Sequence, residues 1–145
     1  MKYLVGCFLF AAMVCSIVQV AAGQSAPPSP VRDGVFTLEQ ATRGEQLYFA
    51  KCAECHGDTL AGIEMSPALA GSAFNATWEG KTLLALADRV KTMPQRAPNT
   101  LSRKEILDLT SYILWANEWP VGSVALADDN AVLAAIKYHA PVPAH

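Results

Sequence analysis

The sequence predicts an all-α domain, and three observations carry that reading. Apolar residues recur at three- and four-residue steps in two long stretches, one starting at Leu38 and one running through Ile106. Each stretch opens with the residue pattern of a capping box, Thr37-Leu38-Glu39-Gln40 and Ser102-Arg103-Lys104-Glu105. No segment sustains the apolar–polar alternation that a half-buried strand requires.

The 145 residues leave room for one domain. Met1-Lys2-Tyr3 leads into an apolar run from Leu4 to Val20, broken by Ser16 and Gln19, with small residues at Val20-Ala21-Ala22-Gly23. A short basic start, an apolar core and a small-residue exit predict a secretory signal peptide over residues 1–22. A retained membrane anchor is the rival reading, because the run nearly reaches spanning length. The polar, Pro-rich stretch that follows favours cleavage after Ala22. Residues 23–33 then form a flexible Pro/Ser leader ending in a turn at Arg32-Asp33-Gly34.

From Thr37, the predicted N-cap, a helix runs to about Lys51. Gly44 lies within it, four residues before Tyr48 on the same face. Glycine is a poor helix former, so its place there predicts the close approach of another helix. Residues 57–79 read as loop, punctuated by Gly57, Gly62, Pro67, Gly71 and Asn75. A loop of that length in a compact domain is expected to wrap something. Lys81 to Thr92 returns to helical spacing, with Leu83, Leu84, Leu86, Ala87 and Val90 on one face, and Met93-Pro94 stops it. Another Pro-containing connection precedes the helix opened by Ser102, which runs to about Asn117 with Ile106, Leu109, Tyr112, Ile113 and Ala116 apolar. Trp119-Pro120 closes it. Asp128 and Asp129 are candidate caps of a short last helix through Lys137. The domain is thus placed at 34–120, with 121–145 as a C-terminal extension.

The chemistry concentrates at Cys52-Ala53-Glu54-Cys55-His56. Two cysteines spaced by two residues and followed by histidine read as a c-type haem attachment site. The thiols would add across the porphyrin vinyl groups as thioethers, and His56 would supply an imidazole nitrogen to the iron. Two rivals share the Cys-x-x-Cys pair. A thioredoxin-like redox pair wants a thiolate stabilised at a helix N-terminus, whereas these cysteines fall near the end of a helix. A zinc site wants four ligands, and with Cys7 and Cys15 removed in the signal there is no second pair.

An iron held by one histidine needs a second ligand or an open site. The candidates are Met65, Met93, His139 and His145. Met65 follows His56 by nine residues, a short span for a chain crossing the ring, although an extended segment of that length reaches about 30 Å. His139 and His145 sit in a Pro-containing tail. Met93, at a helix exit beside proline and between two capped helices, is the favoured ligand over its reading as core filler. A His/Met pair raises the reduction potential and fills the sixth site, which suits electron transfer more than oxygen chemistry.

Taken together, the chain resembles class I monohaem cytochrome c over roughly residues 34–120. Gly44 and Tyr48 stand eight and four residues before Cys52, and Leu109 and Tyr112 stand three apart in the last major helix, as the packing pair of that family does. The resemblance implies a cytochrome c-like fold, helices and loops around one covalently bound haem c, with Cys52 and Cys55 attached and His56 and Met93 as axial ligands. It further implies that a proline carbonyl, here that of Pro67, accepts the axial imidazole proton. Leu69, Phe74 and Leu83 are then pocket wall, and Trp78 is placed to reach a propionate. Ala70-Gly71-Ser72-Ala73-Phe74, Trp78, Thr92-Met93-Pro94 and the 117–122 exit resemble the small exported bacterial cytochromes found with quinoprotein alcohol dehydrogenases and related periplasmic oxidoreductases.

Without the signal, 10 basic and 13 acidic residues give a formal charge of −3. The absence of a basic patch argues against a nucleic-acid partner, and an acidic carrier is steered by a basic face on its partner. The expectation is a periplasmic one-electron carrier with no general acid, base or nucleophile. It would take electrons from a dehydrogenase and pass them to an oxidase or another cytochrome, without a stable membrane span after cleavage. The alternatives are a fixed haem subunit of a dehydrogenase complex, or a haem enzyme or sensor with an open sixth site.

Overall fold

The computed structural model describes residues 34–140; the segments expected to be a signal peptide (1–22) and a leader (23–33), and His145, lie outside the described residues. Within them the chain forms α1 (Leu38–Lys51), α2 (Ala53–His56), α3 (Ser72–Trp78), α4 (Leu83–Lys91), α5 (Arg103–Ala116) and α6 (Asn130–Ala135). The described residues carry one isolated β-bridge, Thr82 to Lys137, so the fold is all-α. None of these helices is long and apolar enough to cross a membrane.

The two capped helices form the frame. At α5 the capping box is complete: Ser102 Oγ accepts from the Glu105 amide at 3.3 Å, and Glu105 Oε2 accepts from the Ser102 amide at 2.8 Å. At α1 it is half made. Thr37 Oγ1 accepts from the Gln40 amide at 3.3 Å, but the Gln40 side chain turns away to Leu126, accepting from its amide at 2.6 Å and donating to its carbonyl at 3.4 Å. The physical reason is burial. Leu126 is buried and its backbone groups need protein partners, whereas the N-cap residue Thr37 is only half-buried.

α1 crosses α5 at Gly44. A Cβ there would stand 1.9 Å from the Asp108 carbonyl oxygen and 2.8 Å from Tyr112 Cβ, so only glycine permits this approach. On either side the seam is held by the tilted Tyr48–Tyr112 pair, with ring centroids 5.3 Å apart, and by Arg43 gripping buried Asp108 through two hydrogen bonds of 2.9 and 2.8 Å. Lys104 adds a third at 2.6 Å.

Two sequence expectations need correction. The stretch 57–79 is not loop throughout, since residues 72–78 form α3. Its Gly, Ser, Asn and Thr content hides the helix, which is held by burial of Phe74 against Tyr138, 5.7 Å between centroids. The last helix, capped by Asp129, ends at Ala135 and not Lys137. Residues 136–138 instead pair with the segment before α4, the Leu83 amide donating to Ile136 and the Tyr138 amide to Lys81 at 2.9 and 2.8 Å. Asp128 pairs with Arg103. Leu126, Leu133, Ile136 and Tyr138 are all buried, so the segment after residue 120 contributes these four side chains to the core.

Candidate functional site

The candidate site is built on a single helical turn where α1 passes into α2. Cys52 ends α1, its amide donating to Tyr48 O at 2.8 Å, and its own carbonyl accepts from Cys55 and His56 at 3.1 and 3.0 Å. Both cysteines are free thiols, Cys52 half-buried and Cys55 exposed. Burial pushes the Cys52 thiol up to about 11, with smaller opposing and reinforcing effects from Lys51 and Cys55. A dithiol redox pair needs the reverse, a thiolate stabilised at neutral pH. Beyond the turn, Tyr48 donates its hydroxyl to Gly57 O, tying the exit of α2 back to α1.

His56 is oriented by the loop that follows. Its Nδ1 lies 2.8 Å from Pro67 O. A carbonyl can only accept, so Nδ1 carries the proton, and Nε2 is the ring nitrogen left to bind a metal. The loop is pinned by its own backbone: the Gly62 amide donates to His56 O at 2.9 Å and the Leu69 amide to Leu60 O at 2.7 Å. Its far end is held by Asn117, the C-cap of α5. Asn117 Nδ2 donates to Leu69 O at 2.9 Å, and Asn117 Oδ1 accepts from the Gly71 amide at 3.0 Å. Sequence reasoning placed Asn117 at a helix end and assigned it no contact. The available signal was an amide side chain in the C-cap position, which leaves its partners open.

Met93 is half-buried directly after α4, its amide donating to Val90 O at 2.9 Å, and the Met93–Pro94 bond is cis. Three residues on, Arg96 pairs with Glu54, the residue between Ala53 and Cys55. This exposed ion pair joins the segment after Met93 to the Cys-x-x-Cys turn. Two of the other candidate ligands have surroundings of a different kind. Met65 is 96 % exposed, and His139 Nδ1 is engaged by Glu79 Oε1 at 2.8 Å.

Of the expected wall residues, Phe74 is buried, Leu69 and Trp78 are half-buried, and Phe74 and Trp78 lie 5.8 Å apart, with Lys81 Nζ 5.1 Å over the Trp78 ring. Among the described residues no group of three His, Cys, Asp or Glu side chains gathers to hold a bare metal ion. Two thiols and an imidazole oriented by Pro67 on one helical turn fit a metal that arrives inside an organic ring able to react with sulfur.

Comparisons with known proteins bear on this arrangement. A family model described as Cytochrome C oxidase, cbb3-type, subunit III matches residues 39–113, more than half of the chain. No curated protein matches. Among solved structures, a chain of the sulfane dehydrogenase SoxCD from Paracoccus pantotrophus is similar at 23 % identity and a TM-score of 0.47. The match covers 71 % of this chain and 60 % of that one.

Proposed function

The chain belongs to the cytochrome c family whose model spans residues 39–113, and we propose that it is an exported, periplasmic electron-transfer protein carrying one covalently attached haem c. Cys52 and Cys55 would hold the haem as thioethers, and His56 and Met93 would be its axial ligands. When bound, the haem supplies a one-electron Fe(III)/Fe(II) couple, and the chain's own residues set its conditions. Pro67 O holds the His56 ring in one tautomer and orientation, which makes Nε2 the more basic donor. The exposed Arg96–Glu54 pair links the segment after Met93 to the attachment turn. Leu69, Phe74 and Trp78 limit water around the cofactor. Residues 1–22 serve as the export signal and 23–33 as a spacer, and a periplasmic dehydrogenase is the electron donor, with an oxidase or another cytochrome as acceptor.

The observation that most supports the reading is the His56 Nδ1 contact with Pro67 O on the same turn as two free thiols. The test is expression in a periplasm able to attach haem, followed by denaturing electrophoresis and intact mass. The expected product is haem-stained after denaturation and heavier by one haem, with Cys52→Ser and Cys55→Ser each losing an attachment. A full-length product without covalent haem would overturn the reading.

A further inference from the structure

Asn117 reaches the axial histidine without touching it. Its residue is buried, 4 % exposed, and its amide bonds in three directions: Nδ2 to Leu69 O at 2.9 Å, Nδ2 to Ile113 O at 2.8 Å, and Oδ1 from the Gly71 amide at 3.0 Å. One side chain thus fastens both Leu69 and Gly71 to the end of α5. The fastened segment begins two residues after Pro67, the acceptor of the His56 proton. Leu69 is bonded on its other side as well, its amide to Leu60 O, and Leu60 in turn bonds Gly57 O at 3.2 Å. A continuous path of hydrogen bonds therefore runs from the α5 C-cap through the loop to the residue next to His56.

We propose that Asn117 is the positioning residue for the axial histidine, holding the Pro67 carbonyl at its 2.8 Å distance from His56 Nδ1. The proposal rests on the reading of His56 as an iron ligand. Its consequence is electronic as well as structural. A fixed acceptor on Nδ1 raises the basicity of Nε2 and so favours Fe(III). If the loop is released, the acceptor is lost for part of the time, the imidazole becomes a poorer donor, and the reduction potential rises. A helix cap with no link to the histidine would alter stability alone.

The experiment compares holoprotein of the wild type, Asn117→Leu and Asn117→Ser with Leu133→Ala, whose side chain is fully buried in α6. Potential and urea midpoint are measured on each. Asn117→Leu is expected to shift the reduction equilibrium three- to tenfold towards Fe(II), a rise of roughly 30–60 mV for one electron. Asn117→Ser, which keeps one small hydrogen-bonding group and carries the test should the leucine variant not fold, is expected to shift it in the same direction by less. Leu133→Ala is expected to lower the urea midpoint with no change in potential. Unchanged potentials in both Asn117 variants, with stability lost as in Leu133→Ala, would overturn the proposal and leave the haem reading standing. A His56→Ala variant whose haem spectrum matches that of the wild type would instead overturn the underlying ligand assignment.

Discussion

Gly44→Ala isolates the packing seam that supports the attachment turn. The new methyl group would sit 1.9 Å from Asp108 O, against the 3.0 Å below which such contacts essentially do not occur. α1 and α5 must therefore part by about 1 Å at this point, because both obstructing atoms belong to or lie next to the backbone of α5. A radial gap of 0.5–1 Å forfeits roughly a quarter to a half of each dispersion contact. The contacts at stake include the Tyr48–Tyr112 pair and the two-pronged Arg43–Asp108 grip. Overpacking of this kind costs about 1–3 kcal/mol, and the loss of pair geometry adds about 1 more. Against it stands a gain of about 1 kcal/mol from replacing glycine in a helix interior. The net expectation is a loss of about 1–3 kcal/mol, or roughly 4–15 °C in Tm for a domain of this size. Urea unfolding of the holoprotein, followed by circular dichroism and compared with Gln46→Ala on the exposed face of α1, measures it. A Gly44→Ala protein as stable as the wild type, or more stable, would refute the close crossing and leave helix propensity as the dominant effect.

Acid should unfold the protein partly through α5. Burial pushes the Asp108 carboxyl up, but Arg43 and Lys104 together hold it below the usual carboxylate range. Glu105 is held at about 2, first by Lys51 and then by Ser102. Both folded-state values are depressed, so their contributions are present at neutral pH and are lost as pH falls from about 4.5 to about 2. Asp108→Asn and Glu105→Gln should each flatten the stability profile in that window, and chemical denaturation between pH 2 and 7 checks it. Gln40→Ala removes both bonds to Leu126 and should cost about 2–3 kcal/mol, since buried backbone groups are left unpaired. Hydrogen exchange should show that loss first at the Leu126 amide, ahead of the α1–α5 seam.

How legible the molecule was in its sequence depended on whether the cause was local. Caps and helix-stopping residues act within a few positions, so Thr37, Ser102 and Pro94 marked their helices correctly. Gly44 was readable because a glycine in a helix interior is costly unless something needs the space. The turn holding Cys52, Cys55 and His56 was legible as a spacing, since one helical turn brings all three together. What stayed hidden was set across the chain. The helix at 72–78 is stabilised by Tyr138, sixty-odd residues away, whose hydroxyl also reaches Asn75. Gln40 abandons its local cap for Leu126, 86 residues on. Asn117 and Arg96 find partners in the loop and turn only after folding has brought them near. Long-range hydrogen bonds of single polar residues leave no period in the sequence, which is why the tail read as an extension and not as core.

The central claim is that His56 and Met93 together hold the iron of a covalently attached haem. The most direct test is the spectrum of the oxidised holoprotein through the weak near-infrared band of sulfur-to-iron charge transfer, repeated on Met93→Ala. The account predicts that the wild type shows the band and that the variant loses it while keeping its haem through denaturation. A band that survives unchanged in Met93→Ala would place the sulfur ligand elsewhere and contradict it.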